Sequence, residues 1–509
     1  MFRIGAVITS IAIFMIGCSM EDPGEQTGID TQDSITVSDA TLTEMLQDVL
    51  AREGFTGNTQ FTLQTRLGRS INSLLANLGK QLWFDKIGGL HNDNTCGGCH
   101  APSNGFGDTQ SIAIGAQNNN QVGPNRAGPR NQRRTPMVVN AAFFPKLMWN
   151  GRFESLSGDP FNNSAGFKFP APEGTTRFPA NDPIVTHLLI AQGHLPATEL
   201  VEVAGFTGTR GTIAPEFDQF DDGLGSPVPP PDASGFRNEP IRQAVLARLN
   251  ASAAYRTAFG QVFPSVAAGG LIDFSMFGRA IAEFEFTLVF SNAPIDRFAR
   301  GETAALTKQQ KQGALMFFGN AGCVRCHAVS GQSNEMFSDF QNRVLAVPQI
   351  ASGFGVGVGN VIFDGPGQNE DFGLEQVTGN SADRYKFRTS PLRNVALQPT
   401  FFHNGAFTTL EAAIKHHLDV ATSARNYNAV TAGIDTDLTH RLGPIEPVLA
   451  RLDPLVATPI RLTNSDFTIL VDFVRNGLLD SRATAANLCP LAPASVLSGA
   501  TLLHFEGCP

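Results

Sequence analysis

The chain has 509 residues, of which 16% are charged, and a net charge of −9 at pH 7. That length suffices for two or three domains with substantial cores. Sparse, mildly acidic charge argues against nucleic-acid binding and speaks only weakly for a basic protein partner.

The N-terminus reads as an export signal, residues 1–18. Arg3 supplies the positive start, and Ile4 to Ile16 form an apolar stretch too short to span a bilayer comfortably. It ends in Met15-Ile16-Gly17-Cys18, similar to a bacterial lipoprotein box with Cys18 as the lipidated residue. The alternative is an ordinary signal peptide with an incidental cysteine. No later segment reads as transmembrane. Residues 19 to about 40 are polar and read as a flexible tether, with an N-terminal extension running to residue 60.

Leu67, Ile71, Leu74, Leu75, Leu78 and Leu82 fall on one helical face and predict a helix leading to Cys96. Residues 205–240 are rich in Gly, Pro and Asp and predict a surface excursion. Phe277, Ile281, Phe284 and Leu288 mark an amphipathic helix that closes a first domain, 61–300, with a linker near 291–305. A second domain, 301–509, opens on the capping-box pattern Thr307-Lys308-Gln309-Gln310. The stretch 351–373 is Gly-rich and reads as loop, and helices resume at 408–420 and 465–478. Strand signals are few, so the expected class is mainly α with long loops and insertions.

The chemistry lies in two pentapeptides, Cys96-Gly97-Gly98-Cys99-His100 and Cys323-Val324-Arg325-Cys326-His327. Two thiols at this spacing can form thioethers to one haem, and the adjacent His can bind its iron. A zinc site would need two close-set pairs, and a thioredoxin-like motif would need a βαβ unit. Neither pattern is present, so the reading is two covalently bound haem c groups. Of the seven cysteines, Cys489 and Cys508 remain after the haem ligands and Cys18. In an oxidising compartment they can pair; two free thiols are the alternative.

From about residue 66 to 480 the chain resembles the bacterial dihaem cytochrome c peroxidase and MauG family. The resemblance rests on Leu78-Gly79-Lys80-Gln81-Leu82-Trp83-Phe84-Asp85, Arg133-Arg134-Thr135-Pro136, Asn140-Ala141-Ala142-Phe143 and Trp149-Asn150-Gly151-Arg152. In the second half it rests on Phe387-Arg388-Thr389-Ser390-Pro391-Leu392-Arg393-Asn394, His403-Asn404-Gly405 and Thr409-Leu410-Glu411. It implies two cytochrome-c-like haem domains, an N-terminal one that activates hydrogen peroxide and a C-terminal one that accepts electrons from a small cytochrome or cupredoxin.

Carried over residue by residue, the resemblance implies Glu202 as the acid–base group, with Glu199 the competing assignment. Val203 stands where the family has Met. Trp149 is implied as the electron bridge between haems, and His417 as the sixth ligand of the C-terminal haem, with neighbouring His416 pointing elsewhere on the helix. His403 is expected to pack or hydrogen-bond near the haem edge. The loop Ser111-Ile112-Ala113-Ile114-Gly115-Ala116-Gln117 lacks the His that caps the peroxidatic iron in some members. Thr389 and Pro391 match backbone positions of a family Ca²⁺ site, but Arg134 stands where an Asn ligand would be, which leaves Ca²⁺ open. Two further functions share the fold: MauG-like oxidation of residues in a partner protein, and non-enzymatic electron transfer. The expected place is the periplasm or cell envelope, with the membrane reached only through a lipid on Cys18.

Overall fold

The structure is a computed structural model. It describes residues 37–169, 177–211, 215–352 and 362–508. The expected signal, Cys18 and most of the expected tether lie outside the described residues, as does 353–361 of the Gly-rich stretch. The described fold is helix-rich, and its strands are two or three residues long. No described helix is long and apolar enough to cross a membrane.

The helix Ser73–Phe84 begins where Asn72 caps it, its Oδ1 accepting from the N–H groups of Leu74 and Leu75. The predicted single helix through Leu67 is in fact two. A shorter helix, Thr59–Leu67, ends at Gly68 in the left-handed conformation, and the chain restarts at Asn72. Leu74 is exposed, whereas Leu75, Leu78 and Leu82 are buried. This face crosses the helix Phe274–Phe286, which buries Phe277, Ala280, Ile281 and Phe284. At the crossing, a Cβ on Gly79 would lie 1.8 Å from the Ala280 carbonyl oxygen, so only glycine permits the approach.

These helices anchor one hydrophobic core, joined by Phe206, Phe217 and Val228 from the 205–240 stretch. That stretch is therefore not a free excursion; its aromatic residues insert into the core. A second core gathers around the helix Lys308–Phe318, whose capping box forms as expected: Gln310 N–H donates to Thr307 Oγ1 and Thr307 N–H donates to Gln310 Oε1. Helix Asn464–Asp472 packs on it. The predicted helix at 408–420 is observed as Leu410–Leu418.

The chain ends cross over. Helix Asp39–Arg52 packs against Lys308–Phe318, placing Leu46 and Leu50 in the second core. The last residues return to the first core. His504–Phe505 pairs in parallel with Gln121–Val122, Phe505 meets Phe84 edge-on, and the Cys489–Cys508 disulfide closes the tail.

The segment near 291–305, read as a linker, is packed into the second core. Pro294–Ala299 is helical and buries Ile295 and Phe298. Asp296 accepts two hydrogen bonds from Arg393, at 2.6 and 2.7 Å, and both side chains are fully buried. Removing one partner of such a pair leaves the other charge uncompensated. Asp296→Ala is expected to cost about 3–5 kcal/mol of unfolding free energy, measured by guanidinium titration of the holoprotein.

Candidate active site: two haem cavities and the wall between them

The first pentapeptide forms a short helical turn capped by Thr95, whose Oγ1 accepts from Gly98 N–H. Cys96, Cys99 and His100 line one cavity. His100 Nδ1 donates to the Phe106 carbonyl at 3.0 Å. The second pentapeptide repeats the arrangement, with His327 Nδ1 donating to Phe337 O at 2.9 Å, and Cys323, Cys326 and His327 line a second cavity. In each case the bond fixes the tautomer that leaves Nε2 with its lone pair. Burial pushes both imidazoles down to about 4, so both are neutral, as metal ligands must be. All four pentapeptide cysteines are free thiols. The donor sets thus fit two covalently attached haems.

Opposite His327 stands His417, its ring centroid 6.2 Å away. Two metal–nitrogen bonds of about 2 Å each fit between rings at that separation. His417 Nδ1 donates to Ala413 O at 2.8 Å, which leaves Nε2 for the cavity. Its neighbour His416 has both nitrogens engaged, Nε2 with Leu345 O and Nδ1 with Ser423 Oγ. His403 lines the same cavity, stacked on Phe387 with ring centroids 3.6 Å apart, and its Nε2 has no partner.

The wall shared by both cavities includes Arg134, Phe144, Trp149 and Arg388. Trp149 Nε1 donates to Arg134 O at 2.8 Å, and the Trp149 carbonyl accepts from Arg388 N–H at 2.7 Å. Burial pushes both guanidiniums down to about 10; Asp108 opposes this at Arg134, and nothing does at Arg388. Among the described residues neither forms an ion pair, and Arg134 Nε has no partner. Buried cations in this state call for an anion, and the propionate carboxylates of a haem supply that chemistry. The Thr389 carbonyl, a candidate Ca²⁺ ligand, already accepts from Ser338 Oγ at 2.7 Å and Arg388 Nη1 at 3.2 Å.

In the first cavity, His100 is the one histidine among the described lining residues. Both Glu199 and Glu202 line it. Glu199 faces Arg152 at 3.7 Å. Glu202, on the π-helical turn Leu200–Ala204, is pushed up to about 7 by burial and by the Glu199 carboxylate, with Arg152 opposing. The His-free loop holds this turn. Ala116 N–H donates to Val201 O, and a Cβ on Gly115 would lie 2.0 Å from that oxygen.

Comparison with known proteins agrees with this geometry. The di-haem cytochrome c peroxidase family profile, CCP_MauG, matches residues 74–304. The cytochrome-c peroxidase IdrP1 of Pseudomonas sp. (strain SCT) is 27% identical over 66% of this chain and 70% of its own length. The methylamine utilization protein MauG of Methylorubrum extorquens is 25% identical over 67% of each. This chain is therefore similar to the dihaem cytochrome c peroxidases and MauG proteins, by profile over residues 74–304 and by pairwise identity over about two thirds of its length. Its fold also resembles the crystal structure of a MauG-like protein associated with microbial copper homeostasis, with TM-score 0.53, 20% identity and coverage of 83% of this chain and 93% of that one. For the diheme peroxidase BthA from Burkholderia thailandensis the values are 0.50, 18%, 82% and 90%. Similarity to a di-haem family and two complete attachment motifs together imply two c-type haems.

Sequence reasoning did not single out Trp83, Glu285 or Arg388. Trp83 and Glu285 line the first cavity with unpartnered polar atoms, and Arg388 lies between the two. Their signal is burial, which no local pattern displays.

Beside the cavity, His91 is clamped between two carboxylates, with Nδ1 3.0 Å from Asp93 and Nε2 3.1 Å from Asp222. Burial lowers its pKa, but the two carboxylates outweigh it and the net shift is upward from 6.5. The raised folded value means the clamp contributes fully below about pH 6.5 and is lost as pH rises through that folded value. The thermal midpoint of the holoprotein should therefore fall as pH is raised above 6.5. In His91→Gln, scanning calorimetry should show that fall flattened.

Proposed function

We propose that this protein is a dihaem peroxidase that reduces hydrogen peroxide to water with electrons from a small redox protein. The observation that carries this reading is a half-buried carboxyl, Glu202, lining the same cavity as Cys96, Cys99 and His100, and raised to about 7. A group poised near neutral pH can both take and give a proton, which general acid–base catalysis requires. Glu199 is engaged by Arg152, so Glu202 is the better candidate of the two.

When bound, the N-terminal haem supplies a site that activates peroxide, and the C-terminal haem supplies electron storage. Cys96, Cys99 and His100 would hold the first; Cys323, Cys326, His327 and His417 would hold the second. Glu202 takes the proton from the inner peroxide oxygen and returns it to the outer one, so that water is the leaving group. The guanidinium groups of Arg134 and Arg388 neutralise haem carboxylates between the cavities, and Arg134 supplies there the positive charge that a Ca²⁺ ion would bring. Trp149, in contact with both cavities, carries electrons across the wall. With no histidine besides His100 in the first cavity lining, that iron is expected to take peroxide without prior reduction.

We further propose two cytochrome-c-like haem domains, 61–300 and 301–509, in an exported protein of the cell envelope. The disulfide between Cys489 and Cys508 supports an oxidising compartment, and the leader-like residues 1–18 with Cys18 support export and lipid attachment.

Steady-state reduction of hydrogen peroxide by the holoenzyme, with a reduced small cytochrome as donor, tests the reading directly. Glu202→Gln should lower kcat by on the order of 10²–10⁴ while both haems are retained. Near-normal turnover in that variant, with loss in Glu199→Gln, would transfer the role to Glu199.

A bis-His iron is low-spin and a weaker oxidant than a His/Met one. His417→Ala should convert the C-terminal haem to high-spin in EPR and visible spectra. His416→Ala should leave that haem low-spin, since both its ring nitrogens are committed to protein partners.

A further inference from the structure

The first cavity has a second indole in its wall. Trp83, on the last turn of helix Ser73–Phe84, is 2% exposed and lines the space around His100. Its ring lies 5.6 Å from the His100 imidazole, the planes inclined by 51°. Phe106 and Phe284 meet the indole edge-on at 6.1 and 5.5 Å. Its Nε1–H has no acceptor, although a buried indole usually finds one. Trp149 differs, since its Nε1–H is taken by the Arg134 carbonyl.

Cleaving the peroxide oxygen–oxygen bond needs two electrons. When both irons start ferric, no electron is stored on a reduced haem. The iron that His100 would hold could give one electron, and the other has to come from a second group, either the C-terminal haem reached through Trp149 or an oxidisable side chain in the first cavity. Indole is among the most readily oxidised side chains, and Trp83 packs directly on the proposed ligand of that iron. The ring loses an electron and keeps its proton, becoming a radical cation.

On the peroxidase reading, we propose that Trp83 gives up the second electron to peroxide when no donor is present, and stores the oxidising equivalent until the donor protein refills it. One electron leaves the iron and one leaves the indole. One water departs with both peroxide protons. The second oxygen departs as water once two electrons from the donor and two protons from solvent have arrived.

The test uses fully oxidised holoenzyme, mixed with hydrogen peroxide without donor and frozen within milliseconds for EPR. Wild type grown on ring-deuterated tryptophan should show an organic radical narrowed by the label. Trp83→Phe should lose at least tenfold of that signal while keeping both haems by pyridine haemochrome. Trp83→Tyr, which restores an oxidisable ring, should regain a radical whose width responds to deuterated tyrosine instead. Peptide mass spectrometry after repeated peroxide additions should find oxygen added at Trp83. An unchanged radical yield in Trp83→Phe, in an enzyme whose wild type still turns over peroxide with donor, overturns the proposal and leaves the peroxidase reading standing. A wild type inert towards peroxide under both conditions overturns both.

Discussion

Two guanidinium groups buried without an ion-pair partner set the terms for the middle of this molecule. Arg134 and Arg388 lie in the wall between the two cavities, and burial disfavours the charge of each. Leaving such charges uncompensated costs several kcal/mol per ion, so the wall is built for an anion on at least one side. The same stretch of backbone is stitched tightly, with Trp149 bonded to Arg134 O and Arg388 N–H bonded to Trp149 O. Positive charge and a rigid aromatic group therefore occupy one place. Moving either arginine would also move the indole, so the charge balance of the cavities and the aromatic ring in their shared wall form one structural unit.

The distal side of the first cavity follows a different logic, that of close approach. Gly115 lets the loop at 111–117 press its backbone on Val201, which fixes the π-helical turn carrying Glu202. Asn94 adds a second hold, its Nδ2 donating to the Glu202 carbonyl at 2.7 Å. The two carboxylates are then set apart by one cation. Arg152 sits with Glu199, and Glu202 is left to feel burial and its neighbour's charge. Burial beside a like charge is how one site keeps a carboxyl near neutrality.

The sequence made the attachment pentapeptides, the capping box at Thr307 and the phase that separates His416 from His417 legible, because each is a local pattern with a local cause. It was silent where the cause is long-range. The run from Leu67 to Leu82 has continuous helical periodicity, yet Gly68 and Asn72 are stop and start signals that outweigh it. The segment at 291–305 has a proline and polar residues and reads as a linker. Its helix of six residues is too short for periodicity to register, and the value of Asp296 lies in Arg393, nearly a hundred positions away. Trp83 belongs to a motif read for its helix, and its contact with His100 is visible only once the chain is folded.

The crossing of the chain ends bears on how the molecule is made. Helix Asp39–Arg52 emerges early but finds its packing surface only when Lys308–Phe318 has been produced. The surface around Gly97 and Gly98 is covered by Leu503 and Phe505, about four hundred positions further along the chain. Each half therefore waits on the other, with apolar surface open in the interval, which is where long-range topologies are slow and prone to misassembly. The packing around the first pentapeptide is therefore completed only once residue 505 has been made, by a contact that no local pattern in the sequence announces.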